Sequence, residues 1–88
     1  MARYSVRIKT SARKELASIA TKADRLRIVK RINSLADNPR PPVASKLSGR
    51  ERYRIRQGRY RILYTIDDTV LTVFLIKIGD RENVYRNR

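Results

Sequence analysis

Residues 51–78 read ERYRIRQGRYRILYTIDDTVLTVFLIKI, and the breaks inside this stretch decide the fold. Gln57-Gly58 and Asp67-Asp68 divide it into three runs, Glu51–Gln57, Arg59–Ile66 and Val70–Ile78. Each run is rich in Tyr, Ile, Val or Thr, residue types that suit a pleated, half-buried backbone. Connections this short join antiparallel neighbours, so the spacing predicts a meander. From Val70 to Ile76 the third run is apolar at both parities, which predicts a strand inside the sheet, since a solvent-facing edge would alternate. Gly79-Asp80 is expected to end that strand, and Glu82–Arg86 to form a short closing segment.

Upstream, Arg3–Lys9 puts Tyr4, Val6 and Ile8 on one side and Arg3, Ser5, Arg7 and Lys9 on the other, the period of a half-buried strand. From Ser11, read as an N-cap, to Thr21, apolar Ala12, Leu16, Ile19 and Ala20 recur at helical spacing. A second helix is expected over Ala23–Ala36, with Ile28, Val29, Ile32, Leu35 and Ala36 along one stripe. Asp37-Asn38-Pro39 stops it. Residues 39–42, Pro-Arg-Pro-Pro, suit neither a helix nor a central strand and form a stiff crossover. A turn at Ser48-Gly49 then leads into the meander. The predicted class is α+β: a strand, a two-helix hairpin and a meander, building a twisted, mostly antiparallel sheet in a single domain over residues 1–88.

Composition narrows the chemistry. The 88 residues carry 22 Lys and Arg against 8 Asp and Glu, a formal net charge of +14, with no Cys, His or Trp. Disulfides, thiolate nucleophiles, zinc knuckles and histidine-based triads are thereby excluded, so no metal or other cofactor is expected. An apolar fraction of 41% is that of a globular domain,. No apolar run reaches the length of a membrane span and no signal segment precedes the first strand, so a cytoplasmic protein without membrane attachment is expected. Such a basic chain points to nucleic acid as partner. Its charge is spread: residues 1–49 hold twelve basic and three acidic side chains, and residues 50–88 hold ten and five. That suits a large polyanion.

Six arginines fall between positions 50 and 61. Arg50, Arg52, Arg54 and Arg56 are spaced by two, so on one strand they share a face. Aligned like charges repel, and Glu51 is the only acid among them, which favours an anion platform over an inert solvated face. Arg50, Arg52 and Arg59 are candidate phosphate contacts, and Tyr53 and Tyr60 candidate stacking partners for bases. Arg27, Lys30 and Arg31 form a basic helix face.

The order of these motifs resembles the RelE/ParE toxin superfamily of toxin–antitoxin modules, and within it the RelE branch of ribosome-dependent messenger RNA endonucleases. The resemblance is carried by Lys46-Leu47, Tyr53-Arg54-Ile55-Arg56, Gly58-Arg59-Tyr60-Arg61-Ile62-Leu63-Tyr64 and Gly79-Asp80-Arg81-Glu82-Asn83-Val84-Tyr85. It implies catalytic roles for Arg54, Arg56, Arg61, Arg81 and Tyr85, in cleavage of mRNA in the ribosomal A site by the ribose 2′-hydroxyl. It further implies as partners an acidic RelB-like antitoxin, the ribosome and mRNA, with operator DNA reached only through the antitoxin complex. The face of Arg27, Lys30 and Arg31 is then a docking place for the antitoxin, a ribosomal RNA contact or a solvated exterior.

Two departures bear on mechanism. Family members often carry lysine where Arg54 and Arg56 stand, and arginine, always protonated, clamps phosphate but is a poor general base. Proton abstraction falls to Tyr85, to Glu51 or Glu82, or to ribosomal RNA, with Arg81 near the leaving oxygen. Little cleavage of free RNA is expected. The chain also ends soon after Tyr85, where several relatives continue into a helix. Two other readings stay open: a ParE-like toxin that inhibits DNA gyrase without cutting RNA, and a decayed member that only binds RNA or ribosomes.

Overall fold

In the computed structural model, residues 3–47 and 52–80 are described. The elements are β1 (Ser5–Ile8), α1 (Thr10–Ala17), α2 (Lys22–Ser34), β2 (Ser45–Lys46), β3 (Arg52–Gln57), β4 (Tyr60–Asp67) and β5 (Thr72–Asp80). They form a five-stranded sheet in the order β1-β5-β4-β3-β2, with two helices packed on one face. The pair β1–β5 is parallel and every other pairing is antiparallel. The α+β expectation holds, and β5 is interior, paired on both sides, with β4 at the middle of the sheet.

The core lies between helices and sheet. Ile28, Ile32 and Leu35, with Ile19 from the connection between the helices, meet Tyr53, Ile55, Ile62, Tyr64, Val73, Leu75 and Ile78. Val73 and Leu75 have one parity and Ile78 the other, yet all three are buried. A bulge reconciles them. Leu63 pairs with Lys77 while Tyr64 pairs with Leu75, so Ile76 is the extra residue and the strand's parity switches there,. Apolar residues at both parities of β5 thus serve two purposes, with Phe74 facing away from the helices.

Several expected boundaries move. Ser11 is not the N-cap: α1 begins at Thr10, Lys9 occupies the cap, and no side chain caps it. The helix ends at Ala17 rather than Thr21, where the Ser18 hydroxyl donates to the Glu15 carbonyl and competes with further helix,. Val29 sits at the border of the α2 stripe and is partly exposed. Two-residue β2 was not expected. Residues 68–71 form the β4–β5 turn, so Val70 and Leu71 are not strand: the Asp67 carboxylate accepts from the N–H groups of Thr69 and Val70, and Leu71 has a φ of 46°,. Gly79-Asp80 does not break β5, because both residues pair with β4.

The proline crossover is tied down by a polar cluster. The Tyr64 hydroxyl donates to the Pro39 carbonyl at 2.7 Å, and Arg40 Nε donates to the Tyr53 hydroxyl at 3.0 Å. The Tyr53 and Tyr64 rings stack at 5.6 Å. The Arg40 guanidinium also grips both oxygens of Asp68, at 3.2 and 2.8 Å, and the Tyr4 hydroxyl donates to the same carboxylate at 2.6 Å. These bonds, Arg40 foremost, hold the Asp68 carboxyl below its ordinary value,. The bond to Asp68 in turn raises the Tyr4 phenol. Burial, then the neighbouring Tyr53, pushes the Tyr64 phenol up to about 12.

Beyond Ile8, β5 outruns β1, and Glu15 of α1 covers the bare edge. Its carboxylate accepts the Ile78 N–H at 2.9 Å and pairs with Lys77 Nζ at 2.7 Å.

Candidate nucleic-acid interface

The second face of the sheet is built by strand parity. Because Tyr53 and Ile55 point to the helices, Arg52, Arg54 and Arg56 point the other way,. On β4, Ile62 and Tyr64 are core, so Arg61 and Leu63 join the arginines. The register then sets the pairs: Arg54 opposite Leu63, and Arg56 opposite Arg61. Directly opposed residues of an antiparallel pair hold their Cβ atoms roughly 5 Å apart. Two guanidiniums at that spacing repel unless an anion lies between them. On the far side of Arg61 stands Gly79, which brings no side chain to crowd it.

Arg61 is the exceptional member. It is 4% exposed, and its Nε has no hydrogen-bond partner. A buried, unpaired N–H costs about 1–3 kcal/mol, more on a charged group. Arg52 and Arg56 are exposed and Arg54 half-buried, so the cluster grades from open clamp to deep floor. The turn that brings β3 and β4 together uses Gly58 at φ 61°, as the first central position of a type II′ hairpin requires,. Arg59 is exposed beside it.

The two tyrosines do not share this platform. Tyr53 is 8% exposed in the core stack, and Tyr60, half-buried, packs against the same core. The expectation that they stack bases beside the arginines is corrected by parity, since residues alternating with outward arginines point inward. Arg27, Lys30 and Arg31 line a groove of about 310 Å³ with Ser34 and Gln57, where Arg31 Nε donates to Gln57 Oε1 at 3.3 Å. Gln57 adjoins Arg56, so this groove opens near one end of the arginine cluster. Arg50, Arg81 and Tyr85, with Glu51 and Glu82, lie outside the described residues.

Three residues of the open face are given no binding role by the sequence alone. Phe74, Arg7 and Lys9 share a second depression with Ile76. The signal was there in the alternation of the first strand, but the pairing of Arg7 with Phe74 is a long-range contact. Among the described residues, no three His, Cys, Asp or Glu side chains come together as a metal site, and no helix is long and apolar enough to cross a membrane.

Comparison with known proteins agrees with this layout. The ParE toxin family of type II toxin–antitoxin systems, parDE, matches residues 6–85. Toxin RelG of Mycobacterium tuberculosis is 30% identical over 86 residues, covering 94% of this chain and 97% of the relative. A chain of the toxin–antitoxin complex RelBE2 from the same organism superposes with a TM-score of 0.77 at 29% identity, over 90% of this chain and 99% of that one. A mutant of the E. coli toxin RelE in the free state gives a TM-score of 0.78 at 27% identity, over 96% and 92%.

Proposed function

This chain belongs to the RelE/ParE superfamily of type II toxin–antitoxin toxins and is a toxin of the RelBE type, and from that premise we propose that it is a ribosome-dependent mRNA endonuclease. The observation that carries the reading is the opposed pair Arg56 and Arg61, with the orphaned Nε of Arg61 beneath it. It is a cradle for an anion, and in a phosphodiester cleavage the anion that gains charge is the phosphorus centre itself.

In the proposed step the ribose 2′-oxygen bonds to the adjacent phosphorus and the bond from phosphorus to the 5′-oxygen breaks. The products are a cyclic phosphate and a free 5′-hydroxyl. Arg61 and Arg56 donate to the non-bridging oxygens, whose charge grows in the pentacovalent transition state, and Arg54 holds the flanking phosphate. Donors already fixed in a buried setting need no reorganisation when that charge appears. Tyr85, as the phenolate, takes the proton from the attacking hydroxyl, and Arg81 stabilises the leaving oxygen, which takes up a proton from solvent to become the 5′-hydroxyl. The weak acid–base equipment makes positioning the main source of rate, and the ribosome supplies it by fixing the nucleotide in line for attack. Arg52 and Arg59 add affinity that falls steeply with salt. A RelB-like antitoxin of acidic character is the cognate partner, and Arg27, Lys30 and Arg31 on α2 are where it docks.

Because the matching family is described by ParE, gyrase inhibition is the competing reading. Induction of the toxin followed by primer extension on a translated mRNA separates the two. Discrete 5′ ends that vanish in Arg61→Ala are expected; intact mRNA with relaxed plasmid DNA would instead assign the chain to gyrase.

A further inference from the structure

Opposite the arginine cluster, the open face carries a feature that phosphate clamping does not use. Phe74 on β5 is 41% exposed, although it is a large apolar side chain within the sheet. In register beside it on β1 is Arg7, with Lys9 two residues further along the same side. Phe74 and Ile76 form an apolar floor, and Arg7, Lys9 and Thr10 a polar rim, around a depression of about 440 Å³. The side chains of Arg7 and Lys9 make no hydrogen bond or ion pair among the described residues.

Two described acids, Glu15 and Asp67, are engaged elsewhere. Glu15 is bound to Lys77 and to the Ile78 N–H, and the Asp67 carboxylate accepts from Thr69 and Val70. Among the described residues, no acid forms an ion pair with Arg7 or Lys9. On β4, Thr65 lies opposite Phe74 and Leu63 opposite Lys77, and beyond them on β3 stand Arg52 and Arg54, so the bed of the face runs between a cationic bank on β1 and another on β3. An exposed ring beside fixed cations is the arrangement that stacks a base and holds its phosphate. A single strand lying on the arginines would cross this bed.

We propose that the depression over β5 and β1 is a second subsite for the RNA strand, in which one base stacks on Phe74 while Arg7 and Lys9 hold the phosphate next to it. The inference rests on the proposed RNA-directed function and extends it from the scissile phosphate to the strand beyond. It assigns to the β1–β5 side a binding role and no part in the chemistry.

The test uses a fluorescent, ribose-methylated oligouridylate bearing one iodouridine, whose photocrosslink forms to an aromatic ring stacked on the base. Anisotropy gives affinity, and mass spectrometry maps the crosslink. Wild type and Phe74→Tyr should crosslink at position 74, while Phe74→Ala should lose the crosslink and bind about tenfold more weakly. Replacing both Arg7 and Lys9 by alanine should reduce the slope of log affinity against log salt by about two. Phe74 is on the surface, so these variants should unfold in urea as wild type does. Arg61→Ala separates the two ideas: if it weakens binding while Phe74→Ala binds as wild type, the subsite is overturned and the nuclease reading stands. Wild type that fails to bind the oligonucleotide overturns the subsite, whereas the nuclease reading is decided by the primer extension on translated mRNA. Unchanged RNA affinity with lost binding of a glutamate-rich peptide in Phe74→Ala would give the patch to a protein partner and overturn the subsite.

Discussion

The same two strands, β3 and β4, present opposite surfaces that differ in what they tolerate. Toward the helices, Tyr53, Ile55, Ile62 and Tyr64 are buried against a closed apolar cluster, and the polar atoms of that side have partners. Toward the open side, alternate residues of the same strands are Arg52, Arg54, Arg56 and Arg61, two of them directly opposed. One surface minimises its own energy; the other holds positive charge that no acid among the described residues pairs with at Arg56 and Arg61. Natural sheets place like charges opposite one another at a cost, and such a cost persists where function requires it. Stability and function are thus separated by parity.

The separation can be broken at its strongest points first. Ile62→Ala, on the covered face, should lose about 2–5 kcal/mol of unfolding free energy in a urea titration, a large part of what so small a domain has. Arg61→Ala, one residue earlier and on the other face, should lower mRNA cleavage by about a hundredfold to a thousandfold with stability unchanged or raised. A cleavage-active Arg61→Ala, or one that unfolds like Ile62→Ala, would erase the contrast between faces.

Smaller effects sharpen it. Tyr64→Phe removes the bond to the Pro39 carbonyl and should cost about 1 kcal/mol or somewhat more, since that carbonyl is left unpaired,. The raised phenol also has a pH signature. Tyr64 favours the neutral form when folded, so the stability it contributes is complete below its unfolded value of 10.0 and is lost as pH rises toward about 12,. Tyr64→Phe should flatten that alkaline decline in thermal melts. Asp68→Asn should give the smallest change. The Asp68 carboxyl is held low, so its contribution is present above the unfolded value of 3.8 and fades as pH falls further,. Wild type and Asp68→Asn should differ slightly near neutrality and converge in acid; a constant difference at all pH values would remove the Arg40–Asp68 pair from the account.

What the sequence made legible was local and periodic. Alternation in Arg52–Gln57 was enough to put three arginines on one face, but the break read at Gln57-Gly58 lay one residue before the observed Gly58-Arg59 turn, which sets Arg56 against Arg61. The same alternation, read without asking which way each residue points, grouped Tyr53 and Tyr60 with the arginines they in fact oppose. The bulge at Ile76 left only a trace, an apolar run at both parities, and Gly79-Asp80 read as a stop although pairing with β4 carries the strand through it. The parallel partnership of β1 and β5 has no local signal, because what joins Val6 to Val73 and Ile8 to Leu75 is burial of their shared face. The phenylalanine depression depends on that pairing and was illegible for the same reason.

That partnership also has a bearing on timing. Val6 and Ile8 meet Val73 and Leu75, which lie near the other end of the sequence, so β1 has no strand partner until β5 has been made. Pairings between remote segments form late, since the intervening chain must first be ordered around them. Arg7 and Phe74 are neighbours only across that junction, and the Arg61 face is flanked by β5 only once the junction closes. A nascent chain therefore lacks the β1–β5 half of the cationic face while its last strand is unmade. The proposed grip on the ribosome would thus begin only with the completion of the toxin's own sheet, after the ribosome that made it has released the last strand.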